Sequence, residues 1–334
     1  MLSREADACY WIGRYVERAE ATARMVDVHY HTALESNRTL FAWSSLLSVA
    51  DAVEAFSERG VQMSDEAVLA YFCFDQDNAD SIIRSWTAAR ENARTIRDEI
   101  ASEMWEALNV TYLELGRWNI QLLLRRSPST FFAYVKESAH RFQGTLDRTL
   151  MDGEAKEWIN LGRFVERGDQ TTRLLDVKYH DLLPALQQTQ SGGGNVQAQA
   201  QVSVPDPYGI GGPLDEHGWA SILRSVSAFE MFRKTHRDGI TPTNVVDFLV
   251  LNARFPASIR YCIAQSTQSL SRIKAAGATP RGHEADRIAG RLLADLTYTQ
   301  ANEIIASGLH EFLQQGQERI NALGDAIAQE YLTY

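Results

Sequence analysis

GRYVERAEATARMVDVHYH, residues 13–31, returns as GRFVERGDQTTRLLDVKYH, residues 162–180, with 11 of 19 positions identical in a gapless alignment. Neither stretch contains a proline, and in the first Val16, Ala19, Ala23, Val26 and Tyr30 repeat at three- and four-residue spacing. That period belongs to a helix, so each copy reads as a long helix. The charged positions match between the copies: Arg14/Arg163, Glu17/Glu166, Arg18/Arg167, Arg24/Arg173 and Asp27/Asp176. Duplicated segments drift fastest where they face water, so charges held in both copies point to more than a solubilising surface.

Helical periodicity extends outward in both directions. The first helix is expected from Glu5 to about Ser36, with Gly13 its only internal breaker, and a second from about Ala42 to Ser57. A third starts near Ser64, where Ser-Asp-Glu supplies a cap and an acidic first turn. A long helical stretch follows Asn78, broken near Glu99, and another helix runs from about Thr130 to Thr149 after Ser127-Pro128, since proline suits a first turn. No run alternates apolar and polar residues for long enough to require a strand. The expected fold is all-α, a multi-helix bundle.

The duplication reaches beyond the opening helix. Trp43-Ser-Ser-Leu-Leu47 aligns with Trp219-Ala-Ser-Ile-Leu223, and Ser81-Ile82 with Ser258-Ile259. The offset widens from 149 to 176 across Gln187–Pro213, a stretch rich in Gly, Gln, Ala and Ser. Such a composition cannot bury enough apolar surface to order itself, so a flexible insertion is expected there. The expectation is two helical modules, residues 1–152 and 153–334, related by a pseudo-two-fold and sharing one core.

The 334 residues carry a net charge of −10, with 45 % hydrophobic and 23 % charged residues. This is ordinary globular composition, and its acidity argues against nucleic-acid binding. Cys9, Cys73 and Cys262 are widely spaced and read as reduced core residues. No apolar run approaches the roughly 18 residues of a membrane span, and the N-terminus has no signal-peptide core. A cytoplasmic protein without membrane association is expected.

At about 100° per residue, Glu17, Glu20, Arg24, Asp27 and His31 share one narrow line along the first helix. Glu166, Asp169, Arg173, Asp176 and His180 repeat it. Three readings follow: a solvated face with i,i+4 pairs, a buried structural ion network, or a polar pocket where the two lines converge. Spacing does not choose among them. For a pocket, Arg14, Arg18, Arg24, Arg163, Arg167 and Arg173 are the candidate anion contacts, oriented by the carboxylates around them. Glu17 and Glu166 are the candidate general bases if the chain is catalytic. Glu91, Asn92 and Arg94 form a second candidate cluster, because the aligned second-copy positions Gln268, Ser269 and Ser271 have lost its charges.

Other chemistry finds little support. Gly192-Gly-Gly and Gly209-Ile-Gly-Gly212 lack the lysine and the strand–turn–helix setting of a phosphate loop. His283-Glu284 has no second histidine at zincin spacing. Asp27/His31 and Asp176/His180 could face one another, but Arg24 and Arg173 between them would repel a cation. Neither metal nor cofactor is expected. His140, Phe142, Gln143 and Gly144 read as a helix-packing group, and the seven tryptophans as core and module contacts.

YWIGRYVERAEATAR (residues 10–24), ARENARTIRDEIASEMWEALN (89–109), HRFQGTLDRT (140–149) and LGRFVERGDQTTRLLDVKYH (161–180) resemble, in order and over nearly the full length, the alpha-E family of bacterial all-helical proteins. Gly168 stands where the second block usually has alanine, which loosens a mid-helix position by about 1 kcal/mol without touching a charge. Members are typically encoded beside or fused to a circularly permuted ATP-grasp protein, often with a transglutaminase-like protease. The resemblance therefore implies a helical accessory or substrate-binding subunit of a system that makes or modifies amide or peptide bonds, with ATP held by the partner. No catalytic residue comes with it. The rival readings are an enzyme, a transferase or hydrolase using a stripe carboxylate as base, and a non-catalytic assembly scaffold.

Overall fold

A computed structural model describes residues 1–35, 39–191 and 213–333 of the chain. Among them there is no strand, and the all-α expectation holds. In chain order the helices are α1 (Ser3–Glu35), α2 (Thr39–Val49), α3 (Val53–Ser57), α4 (Asp65–Cys73), α5 (Ile82–Thr95), α6 (Ser102–Leu115), α7 (Ile120–Arg126) and α8 (Pro128–Thr149). They continue with α9 (Glu154–Ser191), α10 (Pro213–Ser225), α11 (Phe229–Thr235), α12 (Pro242–Val246), α13 (Ile259–Ala275), α14 (Glu284–Tyr298), α15 (Ala301–Ser307) and α16 (Leu309–Ile327). Residues 192–212, most of the expected insertion, lie outside the described residues. No helix among the described residues is long and apolar enough to cross a membrane.

The local signals act where the sequence places them. The Ser64 hydroxyl accepts from the Ala67 backbone N–H and starts α4. Ser81 and Ser258 cap α5 and α13 in the same way. The helix expected over residues 42–57 is instead two, because the chain turns at Asp51 with φ +52°. Ser227 makes the matching turn between α10 and α11, at φ +53°. In each, the following residue donates back into the helix it leaves: Ala52 N–H to the Leu47 carbonyl, and Ala228 N–H to that of Leu223.

The two long helices that carry the repeated blocks, α1 and α9, lie side by side. Residue numbers advance together along the contact, from Met1/Glu154 through Arg14/Glu166 to Glu17/Arg167, so the helices run parallel. Gly13 and Gly162 make this approach close: a Cβ on Gly13 would collide with the Ile159 carbonyl oxygen, and one on Gly162 with that of Tyr10. α5, α8 and α2 pack around α1, while α13 and α16 pack around α9. The sequence reading of one polar and one packing face on α1 is therefore incomplete. Val16, Ala19, Ala23 and Val26 are buried as expected, but Glu17 and Glu20 are buried too. A helix at the centre of a bundle is covered all round, so its polar line must find partners inside the protein.

Trp43, Trp86, Trp158 and Trp219 are among the largest fully buried side chains, while Trp11, Trp105 and Trp118 pack partly buried against the core. The three cysteines are free and buried.

Candidate functional site

A glutamate and the arginine beside it project about 100° apart on a helix and do not face each other. Across the α1–α9 contact each finds its partner in the other copy. Glu17 takes the Nε and Nη2 of Arg167 at 2.5 and 2.7 Å. Glu166 takes the Nε and Nη2 of Arg18 at 2.7 and 3.0 Å and the Nε of Arg14 at 2.5 Å. Glu166 is fully buried; burial alone would raise its pKa, yet the charges of Arg18 and Arg14 hold it far below the usual carboxylate range. The same glutamate holds both arginines permanently charged.

The crossed pairs are not equivalent. Arg163, the counterpart of Arg14, makes no protein hydrogen bond at Nε and lies 4.5 Å from the centre of the Phe164 ring. Burial, aided by the Arg167 charge, lowers its pKa. Glu17 has Gln143 of α8 as its additional donor, at 3.3 Å.

A cleft of about 270 Å³ opens on one side of the crossing. Its floor holds Glu17, Glu20, Arg24 and Arg167, with His140 and Gln143 reaching in from α8. Glu20 Oε1 accepts from Arg24 Nε and Nη2 at 3.0 and 2.6 Å and lies 3.1 Å from His140 Nε2. Gln143 donates to Glu20 Oε2 at 3.3 Å. Burial pushes the Glu20 pKa up, but the His140 hydrogen bond and the Arg24 charge outweigh it and bring it to about 2. The hydrogen bond to Glu20 raises the His140 pKa in return, against partial burial. The walls are Met25, Leu174, Val226, Phe255 and Pro256, and Ser227 bonds to Arg24 Nη1 at the rim.

The other side of the crossing has a smaller cavity, about 130 Å³, between Arg14, Arg18, Arg173, Asp80, Glu166 and Asp169. Arg173 Nε donates to Asp169 at 3.0 Å, and Arg18 lies 3.3 Å from Asp80. Burial raises the pKa of both aspartates. Asn321 of α16 lines this cavity, as His140 of α8 lines the first.

The structure thus brings Arg14, Glu17, Arg18, Glu20, Arg24, Glu166, Arg167, Asp169 and Arg173 together. Others fall elsewhere. Asp27 pairs with Lys136 of α8 at 2.7 Å and accepts from Ser129, with exposed His31 3.5 Å away. Asp176 bonds to His310 of α16 at 2.6 Å. The His180 side chain lies outside the described residues. Glu91 pairs with Arg90 and Arg94 on the outer face of α5, and Asn92 lies beside them, away from both cavities.

Three expectations need correction. The arginines proposed as free anion contacts are largely spoken for: Arg14, Arg18, Arg24, Arg167 and Arg173 each face a carboxylate already. Glu17 and Glu166 are poorly suited as general bases, since accepting a proton would break a bidentate ion pair. His140 is the residue that sequence reasoning missed. Its sequence neighbourhood reads as helix packing, and the carboxylate one turn before it, Glu137, is not its partner: the ring is 57 % exposed in the cleft, on a carboxylate 120 residues away. Its i,i+3 spacing from Gln143, with buried Phe142 on the opposite side, was the available signal. Among the described residues, no group of three or more His, Cys, Asp or Glu side chains could hold a metal ion.

Compared with known families, residues 1–332 match Alpha-E, described as a predicted alpha-helical domain with a conserved ER motif, and the chain belongs to that family. No curated protein and no solved structure matches it. Of the four Glu-Arg dipeptides in the chain, Glu17-Arg18 and Glu166-Arg167 stand at the crossing of α1 and α9, whereas Glu58-Arg59 and Glu318-Arg319 lie outside the repeated blocks.

Proposed function

We propose that this member of the Alpha-E family is a cytoplasmic binding subunit in which the larger of the two cavities at the α1–α9 crossing receives a small carboxylate- or amide-bearing substrate, such as a peptide. ATP-dependent amide formation would then take place on a partner, a circularly permuted ATP-grasp protein, with a transglutaminase-like protease as a further component of the system. One observation carries the reading. The cleft combines a floor of fixed polar groups with apolar walls, the usual composition of a small-molecule site, and its half-exposed histidine is oriented by a buried carboxylate. The absence of a phosphate-loop signature in the sequence agrees with ATP being held elsewhere.

Purification of the tagged full chain from its native cell, with mass spectrometry of co-purified proteins and of small molecules released on denaturation, tests this. The ATP-grasp protein and a peptide or carboxylate compound are expected. The compound should disappear in Val226→Trp, which fills the cleft from its wall. An empty cleft and no ATP-grasp partner would overturn the reading. That same outcome would favour an assembly scaffold, for which the near-complete internal pairing of the stripe arginines speaks. Turnover by the isolated chain would instead establish an enzyme, with His140 replacing Glu17 and Glu166 as the residue to examine.

A further inference from the structure

We propose that His140 and Arg24 form a docking point for a ligand carboxylate that carries an apolar group beside it, and that this point is loaded when His140 is protonated. The inference rests on the reading of the cleft as a substrate site and adds what the site recognises.

Charge balance is the first argument. On the floor, Glu17 pairs with Arg167 and Glu20 with Arg24, so two carboxylates offset two guanidinium groups. The charged groups facing His140 are Glu17, Glu20 and Arg24 of α1 and Arg167 of α9. The α10–α11 turn and the segment before α13 contribute only Ser225, Val226, Ser227, Phe255, Pro256 and Ala257, none of them charged. A protonated imidazole is therefore, among the described residues lining the cleft, the one charge beyond these two pairs, and it is positive.

Donor geometry is the second. His140 Nε2 lies 3.0 Å from Arg24 Nη2 and 3.1 Å from Glu20 Oε1, so it accepts from Arg24 when the ring is neutral and donates to Glu20 when the ring is protonated, while no Nδ1 hydrogen bond is found among the described residues. Arg24 uses Nε and Nη2 on Glu20 and places Nη1 against a neutral hydroxyl, Ser227. A ligand carboxylate can replace that hydroxyl as the Nη1 acceptor and gain a charge-assisted bond in exchange for a neutral one. Val226, Phe255 and Leu174 then offer apolar surface next to the charge.

The cavity on the other side of the crossing supplies the contrast. Three arginines there face three carboxylates, and Asn321 rather than a histidine reaches in from the outer helix. Nothing in it gains positive charge as pH falls through the histidine range.

N-acetyl-leucine and its neutral amide, titrated into the full chain and followed by NMR at pH 6 and pH 8.5, separate the possibilities. N-acetyl-leucine should bind about tenfold more weakly at pH 8.5, which corresponds to about one unit of upward shift in the His140 pKa on binding. The amide should show no such change. His140→Asn should abolish the pH dependence, and Asn321→Ala should leave it intact. In the unsubstituted protein the His140 ring signals should titrate at higher pH once N-acetyl-leucine is present, a readout that needs no variant. Equal pH dependence for acid and amide, its persistence in His140→Asn, or an unmoved His140 titration would overturn the docking point while leaving the cleft a binding site. If neither probe perturbs cleft residues at either pH, the substrate-site reading falls as well.

Discussion

At the scale of single residues, the decisive fact is that Glu166 is shut away from solvent with two arginines on it. Such a pair adds little net stability over an apolar substitute, but removing one member leaves buried charge without compensation, at about 3–5 kcal/mol. Glu166→Gln keeps the shape and removes the charge, so denaturant unfolding at pH 7 should show a loss of that size. The sign of the pH dependence follows from the depressed pKa in the folded state. The carboxylate's contribution is complete above the unfolded-state value and drains away as pH falls toward the folded one. The gap between wild type and Glu166→Gln should therefore narrow below about pH 4. Glu91→Gln, which breaks an ion pair on the exposed face of α5, should change stability by no more than about 0.5 kcal/mol at any pH, because water already screens that pair.

At the scale of elements, Gly168 on α9 and Gly13 on α1 have opposite meanings. Gly168 sits mid-helix, where an added Cβ would lie 3.4 Å from Cys262 Cβ and 3.8 Å from the Ile320 side chain, an ordinary contact. Gly168→Ala should stabilise the protein by about 0.5–1 kcal/mol, by removing glycine's backbone entropy in a helix. Gly13→Ala should destabilise by about 1–3 kcal/mol or more, because its Cβ meets backbone that cannot step aside. Thermal unfolding of the two variants checks both signs. This contrast also marks how far the sequence could be read. Helix existence was legible from apolar spacing and from caps such as Ser64, and the start of α1 falls within two residues of the expected one, while its expected end at Ser36 lies outside the described residues. Gly13 read only as a helix breaker, since nothing local records which backbone presses against it. The split of the helix expected over residues 42–57 was illegible for a related reason. It depends on Asp51 adopting a left-handed conformation, which aspartate tolerates without demanding. At the site, the matched charges pointed to Glu17, Glu166 and their arginines. His140 could not be found from its neighbours, because its partner on α1 is brought to it only by packing.

At the scale of the whole molecule, the reciprocity at the α1–α9 crossing bears on the expected division into residues 1–152 and 153–334. The proposed boundary falls at the Asp152-Gly153 turn between α8 and α9, yet what α1 buries most tightly belongs to α9. Without the second half, Arg14 and Arg18 lose Glu166, Glu17 loses Arg167, and the seam at Gly13 opens to water. Without the first, Glu166 and Gly162 are stranded in the same way. Buried apolar residues on both sides of the boundary, such as Val16, Val26, Val165 and Leu175, belong to one continuous cluster. Neither half should therefore fold alone: each expressed separately should lack a cooperative thermal transition, whereas the two co-expressed should assemble and unfold together in one. A folded, cooperative fragment 1–152 would mean that the crossed glutamate–arginine pairs join finished domains. Failure of both fragments alone, with recovery together, would make the crossing the structural spine on which the cleft and its histidine are built.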